Sequence, residues 1–425
     1  MGPTTLFDKS FLQSLSVDEA VVFDRFFYSV VCPMFYVETL ADLEKRVRPG
    51  RTPEDEVRII AQKFPEMHGV PCPYYMDLCA PNLMGQAIPM TGQVPMLGGR
   101  PVKVDDRRGV IFDERPEAEA FRRWHAEEFF EVERRFAKAW RAGTSAVDTL
   151  TMAAGLRAMG IDAQTCKTLK DAKALADEFV AAESMPHDRL KLAVMTLQLP
   201  PEAEAFIGKR WEASGLLSLL RYAPYAAHVL TVELFGHIAV QAGLITNYDR
   251  QDIGYFSYLP FSFLFVSSDK LQRQSAPAFV GTDQKFIWGP ELKADLARIV
   301  EQYKNLPQDE QEKGMTKYAH FPPKETLVAA LLNDFGEMMR RHEQERLKAL
   351  FNKPPVEAPA PRDLKPFPTA EPDLVKHLNR FRNAPELAPE DVDFDTANPD
   401  ILSVQRAVHK RRGSFWQLPK DLKEP

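Results

Sequence analysis

The stretch from Tyr248 to Asp269, YDRQDIGYFSYLPFSFLFVSSD, decides the fold class of this chain. Its residues from Leu259 to Val266 are mostly aromatic or branched, which is typical of a buried central strand in a parallel sheet. Asp269 follows directly past that strand, at the edge where open α/β sheets bind their ligands. Asp252 lies earlier in the same stretch, at the start of the preceding helix. The two carboxylates are therefore expected to converge.

A second pair of acids near the amino terminus follows the same pattern. Residues Thr4 to Phe7 form a short β-prone run that stops at Asp8, and the helical segment FLQSL comes next. The apolar run FFYSVVCPMFYV then leads into a helix that carries Glu38 and Asp42, four residues apart and so on one face. We expect MFYV to belong to the strand, with Pro33 at its first position or on an edge.

Three stretches, LFDKS, CPMFYVETLADLEK and DRQDIGYFSYLPFSFLFVSSDKL, resemble the PIN-domain nucleases. That family has an early strand ending in Asp, a Glu at the start of a helix after the second strand, and two later Asp residues. The resemblance implies that Asp8, Glu38, Asp252 and Asp269 are the acidic quartet that holds Mg²⁺ or Mn²⁺ for phosphodiester hydrolysis. The long gap between the second and third acids departs from a compact PIN domain and implies an inserted segment.

The predicted fold class is α/β, with a PIN-like parallel sheet flanked by helices, a large mainly α-helical insertion and a helical C-terminal region. Residues 1–48 and 245–305 are the two parts of the PIN-like domain. Residues 49–244 are the insertion, which opens with a Pro- and Gly-rich loop up to residue 113. A helical extension at 306–352 precedes a Pro-rich linker and partly ordered tail at 353–425. The apolar periodicity predicts helices at 116–143, 147–160, 169–183, 201–214, 216–243, 290–303 and 324–351.

Carboxylates suit this chemistry because Mg²⁺ and Mn²⁺ prefer oxygen ligands. We expect Asp8 and Asp269 to bind the metal directly, and Glu38 and Asp252 to bind it directly or through water. The supporting residues are Asp42 and Asp249 as second-line metal ligands, Ser10 and Ser267 as hydrogen-bonding partners of the ligands, and Lys9, Arg250, Lys270 and Arg273 as contacts to substrate phosphates. Two alternatives stay open, because each acid could simply cap a helix and each basic residue could simply pair with an acid.

Composition is that of a soluble globular protein, with 44% apolar and 27% charged residues over 425 positions, enough for more than one structural unit. The amino-terminal residues show no signal-peptide pattern. The apolar segment from Leu216 to Ile245 is interrupted by Arg221, Pro224 and Glu233, which argues against a spanning helix. The expected location is the cytoplasm, with no membrane partner.

Cys72 and Cys79, with His68 nearby, are the one group worth testing as a zinc site. Structural zinc usually takes two close pairs of ligands, and no second pair follows, so ordinary loop cysteines are the preferred interpretation. The net charge of −6 does not exclude nucleic acid, because a local basic strip and an acidic metal site can lie on one molecule.

The basic run HKRRGSFWQLPK near the carboxyl terminus has two interpretations. The preferred one is a solvated, partly ordered tail. The alternative is a contact to single-stranded nucleic acid, made by Lys410, Arg411 and Arg412 beside Phe415 and Trp416.

The predicted function is therefore a metal-dependent nuclease, and RNA is the favoured substrate on the family resemblance alone. The alternative is a non-catalytic nucleic-acid-binding or scaffold protein with a degenerate PIN-like fold, whose helical insertion or Pro-rich tail recruits protein partners. The sequence contains no GxxxxGK, GxGxxG, GxSxG or HExxH motif to indicate a competing chemistry.

Overall fold

The computed structural model describes residues 2–44, 49–95, 100–104, 107–111, 116–145, 155, 157–184, 186–196, 199, 201–246, 250–315, 322–351, 380, 385 and 410–421. Its strands in chain order are β1 Thr4–Phe7, β2 Tyr28–Val31, β3 Gly69–Pro71, β4 Arg100–Val104, β5 Arg107–Ile111, β6 Leu264–Ser267, β7 Lys285–Trp288, β8 Arg411–Arg412 and β9 Phe415–Trp416.

Five of these strands form one parallel sheet in the order β3-β2-β1-β6-β7. β1 and β6 are neighbours, with Leu6 opposite Phe265. The chain runs outward from β1 to β3 and then returns to the other side of β1, so the strand order reverses between β1 and β6. The predicted α/β class is confirmed, and residues 1–48 and 245–305, the two predicted parts of the PIN-like domain, contribute the neighbouring strands β1 and β6 to one sheet. The PIN-like assignment stays a prediction.

Helices connect and cover the strands, as parallel pairing requires. In chain order they are α1 Lys9–Ser14, α2 Val17–Phe26, α3 Pro33–Leu40, α4 Pro53–Ala61, α5 Tyr75–Leu83, α6 Pro116–His125, α7 Glu131–Ser145, α8 Leu169–Ala181, α9 Pro186–Thr196, α10 Pro201–Ser214, α11 Leu219–Tyr222, α12 Pro224–Gln241, α13 Arg250–Ile253, α14 Lys270–Ser275, α15 Gly289–Lys304, α16 Gln308–Glu312 and α17 Leu327–Phe351. Short 3-10 segments include Ala41–Glu44 and Gly254–Phe261.

The central strands are buried on both faces, since every residue of β6 and the last three residues of β1 and of β2 are buried. Phe7 of β1 is fully buried and makes edge-to-face contacts with Phe23 of α2 and Phe35 of α3, at centroid distances of 5.9 and 5.1 Å. The aromatic and branched residues of the central strands therefore lack a solvent-facing side, which is why they read as a continuous apolar run. Among the helices of the described ranges, none combines the length and the apolar character needed to cross a membrane.

Residues 49–113 are not the predicted long loop. They contain α4, β3, α5 and the antiparallel hairpin β4–β5. α4 begins at a capping box formed by Thr52 and Asp55, with Pro53 at the first helical position. β3 pairs with β2, so the range 49–244 supplies one strand of the central sheet. That strand is only Gly-Val-Pro, and three residues are too few to show the alternation of apolar and polar residues that predicts a strand. The division of the chain into five segments stays a prediction.

Two predicted strand boundaries were wrong. MFYV is helical, because Pro33 occupies the first position of α3, where its missing N–H is harmless. The strand predicted at 259–266 begins only at Leu264, since Pro260 lies inside the preceding 3-10 segment and has no N–H for a strand ladder.

Two predicted helices are each divided in the structure. The helix expected at 116–143 consists of α6 and α7, separated at Glu127, whose φ of 62° is left-handed. The helix expected at 216–243 is divided at Pro224, where α12 begins after the short α11. Most of the helix predicted at 147–160 lies outside the described residues.

Of the candidate zinc residues, only Cys79 lies in regular structure, whereas His68 and Cys72 flank β3 in the segments that connect it. Cys72 follows β3 directly and Cys79 lies within α5, and both are buried thiols. The Nδ1 atom of His68 lies 2.5 Å from the carbonyl oxygen of Asp24.

Candidate functional site

Asp8 lies directly after β1 and is also the N-cap of α1. Its side chain is 3% exposed. Oδ1 accepts a hydrogen bond of 2.9 Å from the backbone N–H of Phe11, which is the capping interaction that sequence alone allows for this acid. The capping bond is not the only contact of this carboxyl group, because Oδ2 accepts two further hydrogen bonds.

Those partners are Ser10 and Ser267, whose hydroxyls donate to Oδ2 of Asp8 at 2.5 and 2.9 Å. Each hydroxyl also accepts a backbone N–H from the segment after β6: Ser268 donates to Ser10 at 3.1 Å, and Asp269 donates to Ser267 at 2.9 Å. The carboxyl ends of β1 and β6 are thereby joined through side chains as well as through the sheet. Both serines were predicted to orient ligands by hydrogen bonds, and both bond to Asp8.

Burial raises the pKa of Asp8 to about 6, and the negative charge of Asp269 adds to the effect. The hydrogen bonds from Ser10, Phe11 and Ser267 act in the opposite direction, because they stabilise the carboxylate. Desolvation is the larger influence. Asp8 is therefore a buried acid that titrates close to neutral pH.

Glu38 lies on α3, and the hydroxyl of Tyr255 donates a hydrogen bond of 2.8 Å to its Oε2. Although the side chain keeps some exposure, the surrounding protein desolvates the carboxyl and raises its pKa well above the usual value. The negative charges of Asp252 and, more weakly, Asp8 raise it further, while Lys9 and the Tyr255 hydrogen bond lower it. Glu38 was predicted at the start of its helix, but it lies in the second half.

Lys9 and Asp42 form an ion pair of 2.8 Å in which Asp42 is 2% exposed on its side chain. The same ammonium group donates to the backbone carbonyl of Glu38 at 3.0 Å. Lys9 was predicted to contact substrate phosphate and Asp42 to be a second-line metal ligand. In the structure the two residues bind each other and tie α1 to the end of α3.

Asp252 and Asp269 are joined through a residue that the sequence did not single out. Asp269 caps α14 by accepting the N–H of Gln272 at 3.0 Å, and Nε2 of Gln272 donates to the backbone carbonyl of Asp252 at 2.8 Å. Gln272 is 1% exposed, and its Oε1 has no hydrogen-bond donor within the described part of the chain. This amide oxygen is thus a buried acceptor on a side chain whose nitrogen reaches the backbone of Asp252.

The four predicted acids therefore come from four different parts of the chain. Each of them repels at least one other member of the quartet electrostatically. Asp269 acts on Asp8, Asp8 acts on Glu38, and Asp252 acts on Glu38, each raising the pKa of its neighbour. The structure brings the quartet to one edge of the sheet. Within the ranges that the structure describes, however, no group of three or more His, Cys, Asp or Glu side chains is arranged to hold a metal ion.

The other predicted site residues fall around this edge. The side chain of Arg250 and all of Asp249 lie outside the described residues. Lys270 and Arg273 are exposed on α14, and the guanidinium group of Arg273 lies 4.7 Å from the ring centroid of Trp288. Their predicted contact with phosphate stays a prediction.

Tyr255 and Gln272 are the two site residues that the sequence reasoning missed. Tyr255 lies in an aromatic run whose members all look like core residues, and Gln272 looks like a solvated position on a short helix. Neither pattern distinguishes a residue that bonds to a distant acid. Spacing offered one weak signal, since Gln272 is the third residue after an N-cap acid.

Comparison of the chain with protein-family models, with curated proteins and with solved structures gave no match. The resemblance to PIN-domain nucleases is therefore neither supported nor contradicted by these comparisons.

Proposed function

We propose that this protein is a metal-dependent phosphodiester hydrolase of PIN-like type, acting on nucleic acid and preferably on RNA. The observation that carries the proposal is the position of the quartet. Asp8 and Asp269 follow adjacent parallel strands at the point where the strand order reverses, and this is the place where open α/β sheets bind ligands. Glu38 and Asp252 extend the acidic surface from α3 and α13.

The donor set fits a hard divalent cation. All four side chains offer carboxylate oxygens. Burial is the main cause of the raised pKa of Asp8 and Glu38, and the repulsion between neighbouring acids that adds to it would be relieved by a cation. Asp8 and Asp269 would hold it directly, and Glu38 and Asp252 directly or through water. When bound, Mg²⁺ or Mn²⁺ would supply an activated water and stabilise the leaving oxygen.

The chain's own residues position these acids. Ser10 and Ser267 hold Oδ2 of Asp8, and Tyr255 holds Oε2 of Glu38. The ion pair of Lys9 with Asp42 fixes α1 against α3 and places a positive charge beside Glu38. Since hydrogen bonds and positive charge favour the ionised carboxyl, these contacts oppose the rise in pKa that burial causes at Asp8 and Glu38.

A second candidate function is a nucleic-acid-binding or scaffold protein that has lost catalysis. One observation favours it: in the described ranges no three potential ligands are arranged to hold a metal ion. Asp8, moreover, already accepts three hydrogen bonds within the protein.

An assay of RNA cleavage by the purified full chain distinguishes the hydrolase from the non-catalytic binding protein. We expect a labelled single-stranded RNA to be cut with Mn²⁺ or Mg²⁺ present, and cleavage to be abolished by EDTA and by Asp8→Asn or Asp269→Asn. Circular dichroism would verify that both variants fold. Asp162→Asn is the matched control, because Asp162 caps the 3-10 turn Ala163–Thr165 and is exposed. Undiminished cleavage in EDTA, or full activity in both site variants, would refute the proposal.

A further inference from the structure

The C-terminal segment Lys410–Asp421 folds onto the body of the protein, although the sequence predicts a partly ordered tail. β8 and β9 form a hairpin joined by Gly413 and Ser414. Gly413 has a left-handed φ of 55°, and a Cβ at this position would lie 2.2 Å from Oδ1 of Asp18. Glycine is therefore needed both for the turn and for its close approach to α2.

Two side chains anchor the hairpin deeply. Arg412 is 7% exposed and donates from Nε to the carbonyl of Gln62 at 3.1 Å. Its guanidinium nitrogens lie 3.9 Å from the carboxylates of Asp24 and Glu66. Phe415 is fully buried and stacks on Tyr303 of α15 with ring centroids 4.3 Å apart. Buried arginine and aromatic anchors of this kind are typical of energetic hot spots at interfaces.

Polar contacts hold the edges of the hairpin. The N–H of Ser414 donates to Asp18 at 2.7 Å, and the N–H of Met315 donates to the carbonyl of Trp416 at 2.7 Å. Lys420 pairs with Glu312 of α16 at 2.7 Å. The hairpin thus sits in a groove whose walls are α2, the turn after α4, the end of α15, and α16 with the residues just after it.

Charge is complementary across this groove. Arg412 lies 3.9 Å from the carboxylates of Asp24 and Glu66, and Lys420 pairs with Glu312. Asp18 accepts the N–H of Ser414 and also pairs with Lys304 of α15 at 3.2 Å. Burial raises the pKa of Asp24, whereas backbone N–H donors and Arg412 lower it. Three of its hydrogen bonds, each 2.8 Å, come from the backbone of residues 66–68 and not from the hairpin. The carboxylate is therefore oriented by the body itself, which reduces the ordering needed on binding.

The groove lies away from the candidate site. Gln62 and Glu66 precede β3, whereas Asp8 and Asp269 follow β1 and β6, and the starts and ends of parallel strands lie on opposite edges of a sheet. Docking of the hairpin therefore leaves the acidic quartet uncovered. The basic residues of this segment also cannot act as a group on nucleic acid, since Arg412 and Phe415 are buried against the body.

We propose that this acidic groove is a peptide-binding site and that its ligand is the chain's own C-terminal hairpin, which binds as a separable unit. The groove fits a basic hairpin with an arginine and a phenylalanine three positions apart and a left-handed glycine at the turn. A ligand tethered to its own receptor occupies it at a high effective concentration, so a free copy of the hairpin must compete with the attached one.

The test uses the full chain carrying Arg412→Ala and Phe415→Ala, together with a fluorescein-labelled peptide of residues 408–421. Fluorescence anisotropy should show saturable binding to this variant, and at least about tenfold weaker binding to the wild type, whose own hairpin competes. The matched pair of peptides carries Arg412→Ala or Arg411→Ala. Arg411 is exposed and lies over Trp416 of the hairpin itself, at 5.3 Å from the ring centroid. The Arg412 change should weaken binding at least about tenfold, and the Arg411 change by less than about threefold.

Absence of saturable binding to the folded double variant, or equal binding of the two altered peptides, would overturn the proposal. Hydrogen exchange on the wild type gives a second measurement that does not depend on the folding of any variant. The amides of Ser414, Met315 and Lys420, which bond across the groove, should exchange together and faster than those of β1 and β6. If these amides exchange as slowly as the amides of β1 and β6, the hairpin opens only when the whole protein unfolds, and it is not a separable unit.

Discussion

The hydroxyl of Tyr255 donates a hydrogen bond of 2.8 Å to Oε2 of Glu38, across 217 positions of the sequence. This contact joins the 3-10 segment before β6 to the helix after β2. It also places an uncharged hydrogen-bond donor beside a carboxyl whose pKa is already raised by burial and by the negative charge of Asp252. A residue from a distant part of the chain therefore affects the pKa of Glu38.

Replacement of Tyr255 by Phe should raise the pKa of Glu38 further, because a donor that stabilises the carboxylate is lost. We expect the free energy of unfolding to fall by about 1.5 to 3 kcal/mol, the usual range for a hydrogen bond to a charged group. The loss should grow as pH rises, since the bond is stronger to the ionised carboxyl. Urea unfolding at several pH values measures this difference.

Tyr258→Phe provides the control for that experiment. Tyr258 is also fully buried, but its hydroxyl accepts a backbone N–H from Tyr75 at 3.3 Å and bonds to no carboxylate in the described ranges. The difference in stability between wild type and Tyr258→Phe should not change with pH. A pH-independent difference for Tyr255→Phe as well would contradict the coupling of Tyr255 to Glu38.

Asp8 should make the wild type less stable as pH rises. Its pKa is about 6 in the folded protein against 3.8 for the unperturbed group, so the folded state binds the proton more tightly than the unfolded state. Relative to Asp8→Asn, the wild type should lose roughly 2.4 kcal/mol of unfolding free energy between pH 4 and pH 7. Chemical denaturation of both proteins across this range measures the difference, and a flat or rising difference would exclude a raised pKa for Asp8.

Asp269→Asn should separate metal binding from helix capping. Asn caps a helix about as well as Asp, so the metal-free variant should melt close to the wild type. If Asp269 is a ligand, added Mn²⁺ should raise the melting temperature of the wild type more than that of the variant, because a ligand that binds only the folded state stabilises it. Asp162→Asn, which alters an N-cap far along the chain, should respond to Mn²⁺ like the wild type. Identical responses in all three proteins would remove Asp269 from the metal site.

Gln272 offers two substitutions with opposite expected effects on metal binding. Its Oε1 is buried and has no donor in the described ranges, and the Nε2 of the same amide donates to the backbone carbonyl of Asp252. Gln272→Met removes the acceptor and should reduce the Mn²⁺-induced rise in melting temperature. Gln272→Glu adds a carboxylate and should increase that rise, while lowering the melting temperature in EDTA through repulsion. If Gln272 serves only to hold the fold, both variants should show the same Mn²⁺ response as the wild type.

Several features of this protein were readable from local sequence. The acids after β1 and β6 could be found because a short β-prone run that ends in Asp and leads into a helix is a signal contained in adjacent residues, and both acids are indeed N-caps at strand ends. The parallel sheet followed from apolar runs that have no polar face. Helices with strong periodicity, such as α10 and α15, were predicted nearly to the residue.

Only the tertiary structure decided which distant residues meet. β3 is three residues long and becomes a strand by pairing with β2, and Gln272 acquires its role by reaching the backbone of Asp252. The same holds for the C-terminal hairpin, where Arg412 reads as a solvated basic residue until Gln62, Asp24 and Glu66 surround it. Local patterns report on backbone propensity and on capping, which depend on near neighbours in the chain. The partners of a buried polar group are set by packing and by the requirement that its hydrogen bonds be satisfied, and these depend on the whole fold.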